Sequence, residues 1–371
     1  MISPKIKVLF SILALACFSL PVFAQQNNKF QVIAYFFGSP EQAEKVPAEK
    51  LTHIIFSFCH LKGNKLNVDN AGDTATIKSL VGLKKQNPQL KVILSLGGWG
   101  GCETCSDVFS SAAARTEFAE SVKQLNNYFG TDGIDLDWEY PAIEGLPGHK
   151  FGPQDKPNFT ALVTELRRVL GKKQEISFAT GGFQKCLEES IDWKNVMPQV
   201  NYVNLMSYDL VNGYSMVTGH HTGLYSVPQL KESADNGVSY LLKQGVPAGK
   251  IIVGSAFYGR MFEGVENVNN GLFQSGKFKQ GISYAQIREQ MPNQTDFVYH
   301  WDDLAKAPYL YSAEKKLFIT YDDKRSIEYK TQYVIDKKLG GIMFWEIEED
   351  APTDGLLDVI VNVKKNGSSL K

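Results

Sequence analysis

The chain has 371 residues, 43% hydrophobic and 21% charged, which is enough for one large core or two domains. A formal net charge of −1, with no basic stripe and no acidic tract, argues against a nucleic-acid partner, a metal buffer or a disordered arm. The 5 Trp, 16 Tyr and 22 Phe suit a large core first, and stacking surfaces for flat ligands such as sugar rings second.

Residues 1–24 read as a secretory signal peptide. Lys5 and Lys7 precede an apolar run from Val8 to Leu20, and Val22-Phe23-Ala24 offers a small-residue cleavage site. The run is too short for a spanning helix, and no other stretch is long enough to cross a bilayer. The competing reading is a lipoprotein signal retaining Cys17, which fits poorly because Ala14 stands where a Leu is expected. An exported protein, extracellular or periplasmic, is the expectation.

Short apolar, β-rich runs follow at 31–37, 53–59, 91–96, 133–138, 175–179, 202–208, 251–257 and 341–345. Between several of them, 75–86, 112–128, 158–170 and 233–244 repeat apolar residues at three- and four-residue spacing, the mark of amphipathic helices. Alternating strand and helix argues for an α/β fold with a parallel sheet, and eight units suggest a (β/α)8 TIM barrel. A doubly wound open sheet is the rival, but no Gly-rich turn follows the first strand. Residues 261–322, rich in Gly and aromatics, read as a small α+β insertion between the seventh strand and the last barrel helix near 326–338. The barrel then comprises 25–260 and 323–363, with a frayed tail at 364–371.

Cys102 and Cys105 form a CxxC within Gly98-Trp99-Gly100-Gly101-Cys102-Glu103-Thr104-Cys105. A redox motif would open a helix in a small βαβ unit, and a zinc site needs further ligands that no second CxxC supplies. A local disulfide is favoured. Cys59 and Cys186 read as buried apolar fillers.

The most informative segment is Asp132-Gly133-Ile134-Asp135-Leu136-Asp137-Trp138-Glu139-Tyr140-Pro141. Its alternation puts Asp135, Asp137 and Glu139 on one strand face, pointing into a barrel and ending at its catalytic mouth. Aligned carboxylates suit a hard cation, or proton-shared acid catalysis in which neighbouring charge raises one carboxyl pKa. Catalysis is the favoured reading, without metal or cofactor. Asp137 and Glu139 are two residues apart, roughly 6–7 Å between Cα atoms, and approach from the same side. That geometry gives one acid and one helper, and points to a nucleophile carried by the substrate, such as a 2-acetamido carbonyl.

These residues resemble glycoside hydrolase family 18, the chitinases. The fourth-strand motif DxxDxDxE is matched by Asp132, Asp135, Asp137 and Glu139; SxGG is matched by Ser95-Leu96-Gly97-Gly98, followed by Trp99. Met206-Ser207-Tyr208-Asp209, Tyr258-Gly259-Arg260 and Phe344-Trp345-Glu346 match the ends of the sixth, seventh and last strands. The resemblance runs from about residue 30 to 360. It implies hydrolysis of chitin or chitooligosaccharides by a monomeric enzyme that retains anomeric configuration through substrate assistance. Glu139 is then the general acid and base, and Asp137 turns between Asp135 and the acetamido N–H. Asp135 shares a proton with Asp137, and Tyr208 bonds the acetamido carbonyl. Trp345 is implied as the floor, with Tyr35, Phe58, Trp99, Met206, Asp209, Tyr258 and Arg260 lining neighbouring subsites and Tyr214 stacking on the leaving side. Asp132 is the motif member expected to be structural.

Two departures stand out. The first strand ends in Phe37-Gly38-Ser39-Pro40, without the Trp some chitinases carry there, and the CxxC beside Trp99 is not a general family feature. Relatives that lose the terminal acid are lectins, whereas Glu139 is present here. Relatives that cleave the chitobiose core of glycoproteins lack the insertion, which here walls one side of a groove suited to linear chains.

Overall fold

The computed structural model describes residues 30–290, 293 and 296–369. The signal region and Cys17 lie outside the described residues. Eight strands, Gln31–Phe36, His53–Lys62, Lys91–Gly97, Gly133–Asp137, Glu175–Gly181, Tyr202–Met206, Ile251–Ala256 and Gly341–Trp345, pair in parallel in that order. The eighth then pairs with the first, Ala34 opposite Phe344, closing a (β/α)8 barrel. Among the described residues no helix is long and apolar enough to cross a membrane.

The period of two along each strand splits the core into two shells. Val32, Ala34 and Phe36 face outward into a layer completed by the helices, with Leu94, Ile134, Leu136 and Trp138. Ile33, Tyr35, Ile55, Ile93, Tyr202, Met206, Ile252 and Met343 fill the interior. The barrel is therefore packed shut below its mouth, which leaves the upper rim as the place for a site.

Local signals place the helices. Ala112–Phe129 starts at Ser111, whose side chain accepts the N–H of Ala114, and stops at Gly130, φ +77. The helix expected at 75–86 runs instead over Ala71–Gly82 and continues as a 3₁₀ turn at Leu83–Lys85. Asn70 starts it early, because its side chain caps the N–H of Asp73. Likewise the helix expected from 158 begins at Asp155, with Pro157 in its first turn, where a missing N–H costs nothing. The frayed tail expected from 364 is a continuation of the helix Leu356–Ser369. Gly367 lies against the side chain of Ile335 on the preceding helix, and residues 370–371 lie outside the described residues.

The insertion is a five-stranded antiparallel sheet with Tyr258–Glu263 between Lys277–Ser283 and Leu317–Tyr321, followed by Ala307–Ser312 and Val298–Asp302. It begins at Tyr258, ahead of the expected 261, because the chain turns out of the barrel directly after Ala256. Its return is pinned by a buried ion pair. Lys330 Nζ, on helix Lys324–Asp336, donates to Asp322 Oδ2 at 2.6 Å, both side chains fully buried. The same oxygen accepts the Thr222 hydroxyl and the N–H of Ala256, while Ser326 donates to Oδ1.

Removing one partner of such a pair leaves a buried charge uncompensated. Lys330→Met is expected to cost about 3–5 kcal/mol, read as a lowered urea midpoint. A loss below about 1 kcal/mol would show the pair to be dispensable.

Candidate active site

Strand register builds the centre of the site. Ser95, Asp135 and Ser177 are Cα partners across the third, fourth and fifth strands. That alignment flanks the fully buried Asp135 with two hydroxyls: Ser95 Oγ donates to Oδ2 at 2.9 Å and Ser177 Oγ to Oδ1 at 2.6 Å. From across the barrel the Tyr35 hydroxyl donates to Oδ2 at 3.0 Å and the Asn204 amide to Oδ1 at 3.2 Å. Burial raises the Asp135 pKa, and these four neutral donors oppose the rise.

One step higher, Gly97 is the partner of Asp137. A Cβ on Gly97 (φ +115) would fall 2.2 Å from the Asp137 carbonyl oxygen, and one on Gly98 (φ +79) 2.3 Å from the Phe58 ring. The two glycines thus let the Asp137 backbone and Phe58 close onto the end of the third strand. Asp137 Oδ1 is buried without a hydrogen-bond partner, and burial, then the charges of Glu139 and Asp135, hold this carboxyl well above its usual range. The resemblance implies a proton shared by Asp135 and Asp137. Here no hydrogen bond among the described residues joins them, since Asp135 already accepts from its four donors.

Glu139 stands just past the strand end and lines the cleft. Burial pushes its carboxyl up to about 7; hydrogen bonding from Tyr140 opposes the shift and the charge of Asp209 adds to it. It is poised to hold a proton near neutrality and release it. Beneath it, Trp138 points the other way and packs on Phe109 and Phe159, locking the strand's orientation. Asp132, at the strand's other end, accepts the N–H of Val92 and pairs with Lys84, a structural role far from the mouth.

The mouth opens as a cleft of about 1340 Å³. Phe58, Trp99, Asp137, Glu139, Met206, Tyr208, Asp209, Tyr214, Tyr258, Arg260 and Trp345 all line it. Phe58 and Trp345 stack at 5.5 Å and 13°, forming an aromatic floor. Trp99 and Tyr214, both exposed, face each other at 6.3 Å as a pair of walls. The Tyr208 hydroxyl has the Met343 thioether at 3.8 Å as its partner, a weak contact that leaves it open to a ligand. Asp209 receives Arg260 through two hydrogen bonds, 2.7 and 2.6 Å. Burial alone would raise the Asp209 carboxyl, but His221 and Arg260 hold it well below the ordinary carboxylate range. The Cys102–Cys105 disulfide closes the loop behind Trp99, with Cα atoms 5.1 Å apart.

Tyr35 does not line the cleft. It is 1% exposed, two residues short of the point where the first strand meets the rim, and its hydroxyl serves Asp135 instead. The sequence reading also missed Phe37, Tyr140, Phe183, Phe278 and Glu349, which line the cleft, and Ser177 and Asn204, which hold Asp135. Asn204 was readable as a polar residue at an inward position between Tyr202 and Met206. Ser177 needed the register, and Phe278 needed the insertion's fold.

Tyr35→Phe removes one of the four donors and is expected to cost about 1–3 kcal/mol at neutral pH. Losing a donor raises the Asp135 pKa further. The deficit is therefore full while Asp135 is ionised and shrinks as pH falls and the carboxyl takes up its proton. Urea denaturation of both proteins across pH reads this; a deficit constant with pH would show that the hydroxyl does not act on Asp135.

The model of glycosyl hydrolases family 18 matches residues 31–350. Chitinase A1 of Niallia circulans is 30% identical over 405 residues, covering 89% of this chain and 58% of that protein. Chitinase B of Serratia marcescens is also 30% identical, covering 84% of this chain and 75% of its own length. A solved family 18 N-acetylglucosaminidase from Paenibacillus barengoltzii superposes with a TM-score of 0.83 at 35% identity, over 90% of this chain and 100% of that one. The chain thus spans a little over half of the first relative and most or all of the other two. The family match extends over all eight barrel strands, the acidic strand among them, and over the insertion, and this chain belongs to glycosyl hydrolases family 18.

Proposed function

We propose that this protein is an exported chitinase that hydrolyses β-1,4-linked N-acetylglucosamine chains with retention of configuration, using the substrate's acetamido group as nucleophile. The observation that carries the reading is the fourth strand: a cleft-facing Glu139 with a proton held to about 7, above an Asp137 whose Oδ1 has no partner. Two further carboxylates at the cleft, Asp209 and Glu349, make poor nucleophiles. Asp209 is bound by Arg260, and burial, with Glu346 adding, pushes Glu349 up to about 8, so it is protonated at neutral pH.

Glu139 donates its proton to the glycosidic oxygen as the acetamido carbonyl oxygen attacks the anomeric carbon and the leaving sugar departs. The unpartnered Asp137 oxygen accepts the acetamido N–H, and the Tyr208 hydroxyl donates to the carbonyl. Water then attacks the anomeric carbon, Glu139 takes its proton, and the ring opens to the original acetamide with β configuration. Asp135 has no oxygen to spare for a cation, because its four protein donors occupy both. The named chitinases among the relatives support the substrate class, and residues 1–24 support export. Likeness to the Paenibacillus barengoltzii N-acetylglucosaminidase favours a second reading, release of single units. Chitotetraose separates the two, giving chitobiose in the first case and N-acetylglucosamine in the second. No release of either between pH 4 and 8 would sink the enzyme reading.

Glu139→Gln is expected to keep oligosaccharide binding by calorimetry and to lose turnover by roughly 10²–10⁴-fold; the product of the unmutated enzyme forms first as the β anomer by NMR. A near-normal rate in Glu139→Gln, or initial α product, would contradict the mechanism.

Because the acid must hold its proton, kcat/KM is expected to fall as pH rises through about 7. Tyr140→Phe removes the bond that lowers the Glu139 pKa, and so should move this limb to higher pH. A limb that stays in place would show that another group sets it.

A further inference from the structure

His221 is fully buried, and neither ring nitrogen has a hydrogen-bond partner. A neutral imidazole always carries one N–H, and a buried donor left unpaired is costly. Its neighbour His220 solves this by pairing Nε2 with Asp302 at 2.9 Å. His221 has its backbone N–H on the Thr320 hydroxyl and its ring 5.3 Å from that of Tyr258. The nearest carboxylate oxygen to its Nδ1 is Asp209 Oδ1, at 3.6 Å. That is too far for a hydrogen bond and close enough for a small ring rotation to make one.

Asp209 is itself unusual. It lines the cleft, follows Tyr208 directly, and has φ +54, a left-handed conformation that persists where the surroundings over-determine it. Arg260 grips it from the insertion sheet through Nε and Nη2. Two donors on one carboxylate fix its position but leave its tilt about the shared edge free. A third donor on Oδ1 from below would fix that tilt.

We propose that His221 is a positioning residue of the active site: when a sugar enters the cleft, its Nδ1–H closes onto Asp209 Oδ1 and sets the angle at which Asp209 meets the sugar. Hydrogen bonds that are long in an empty enzyme and tighten in the complex are an ordinary feature of such sites. This inference rests on the proposed hydrolysis of N-acetylglucosamine chains, and the unmutated enzyme serves as the control for that reading.

The test compares His221→Leu, close in volume but without a donor, with His221→Asn, which keeps one. Chitotetraose kinetics are normalised to folded protein by circular dichroism. His221→Leu is expected to raise KM about tenfold, the loss of one hydrogen bond to a charged group, with kcat falling less. His221→Asn should stay within about twofold of the unmutated enzyme, the expected rescue by a donor. In the double variant with Asp209→Asn, the His221→Leu loss should disappear, because the two residues act as one unit. Unchanged KM in His221→Leu overturns the proposal, as does equal impairment of Leu and Asn or full additivity with Asp209→Asn; each means that the ring only packs. If His221→Leu does not fold, His221→Gln against His221→Met gives the same comparison with longer side chains. An unmutated enzyme that cleaves no oligosaccharide refutes the functional reading instead.

Discussion

The site depends on keeping one carboxylate at the centre of a closed barrel. Asp135 has no access to water, so its charge must be met by protein dipoles or be lost. Ser95, Ser177, Tyr35 and Asn204 meet it from four different strands. No single strand can supply that cage, which requires the barrel to be closed and in register. In turn the caged charge acts upward on Asp137, adding to burial and to the charge of Glu139 in holding that carboxyl above its usual range.

The rim adds what the barrel interior lacks. Among the described residues three non-proline peptides are cis: Ser57–Phe58 within the second strand, and Glu139–Tyr140 and Trp345–Glu346 at the ends of the fourth and eighth, all bordering the cleft. The aromatic floor joins the second and eighth strands, and the exposed walls Trp99 and Tyr214 come from loops above the third and sixth. Strands therefore carry the inward acidic side chains, while loops carry the exposed aromatic walls.

Much of this was legible in the sequence because its periodicities are strong. The eight strands, the inward acids and the insertion follow from alternation and spacing. Helix starts were less legible, since a side-chain cap such as Asn70 moves a boundary by several residues without changing the apolar pattern. Tyr35 was misplaced for a related reason: its strand was readable, but how far up the barrel its hydroxyl reaches depends on shear. Ser177 and Phe278 were invisible because each matters through a partner distant in the chain. The tail expected from 364 is polar up to Ser369, and the helix begun at Leu356 carries on through it without an apolar pattern to announce it.

The Arg260–Asp209 bond joins two parts of the chain, the insertion sheet and the barrel rim. Tyr258 and Phe278 come to the cleft from that same sheet. The insertion is therefore not an accessory module that could be exchanged between scaffolds as a cassette. Lifting it out would take away one wall and the counter-ion of a rim carboxylate together. Without this sheet, that corner of the mouth would be open and Asp209 would stand without its guanidinium.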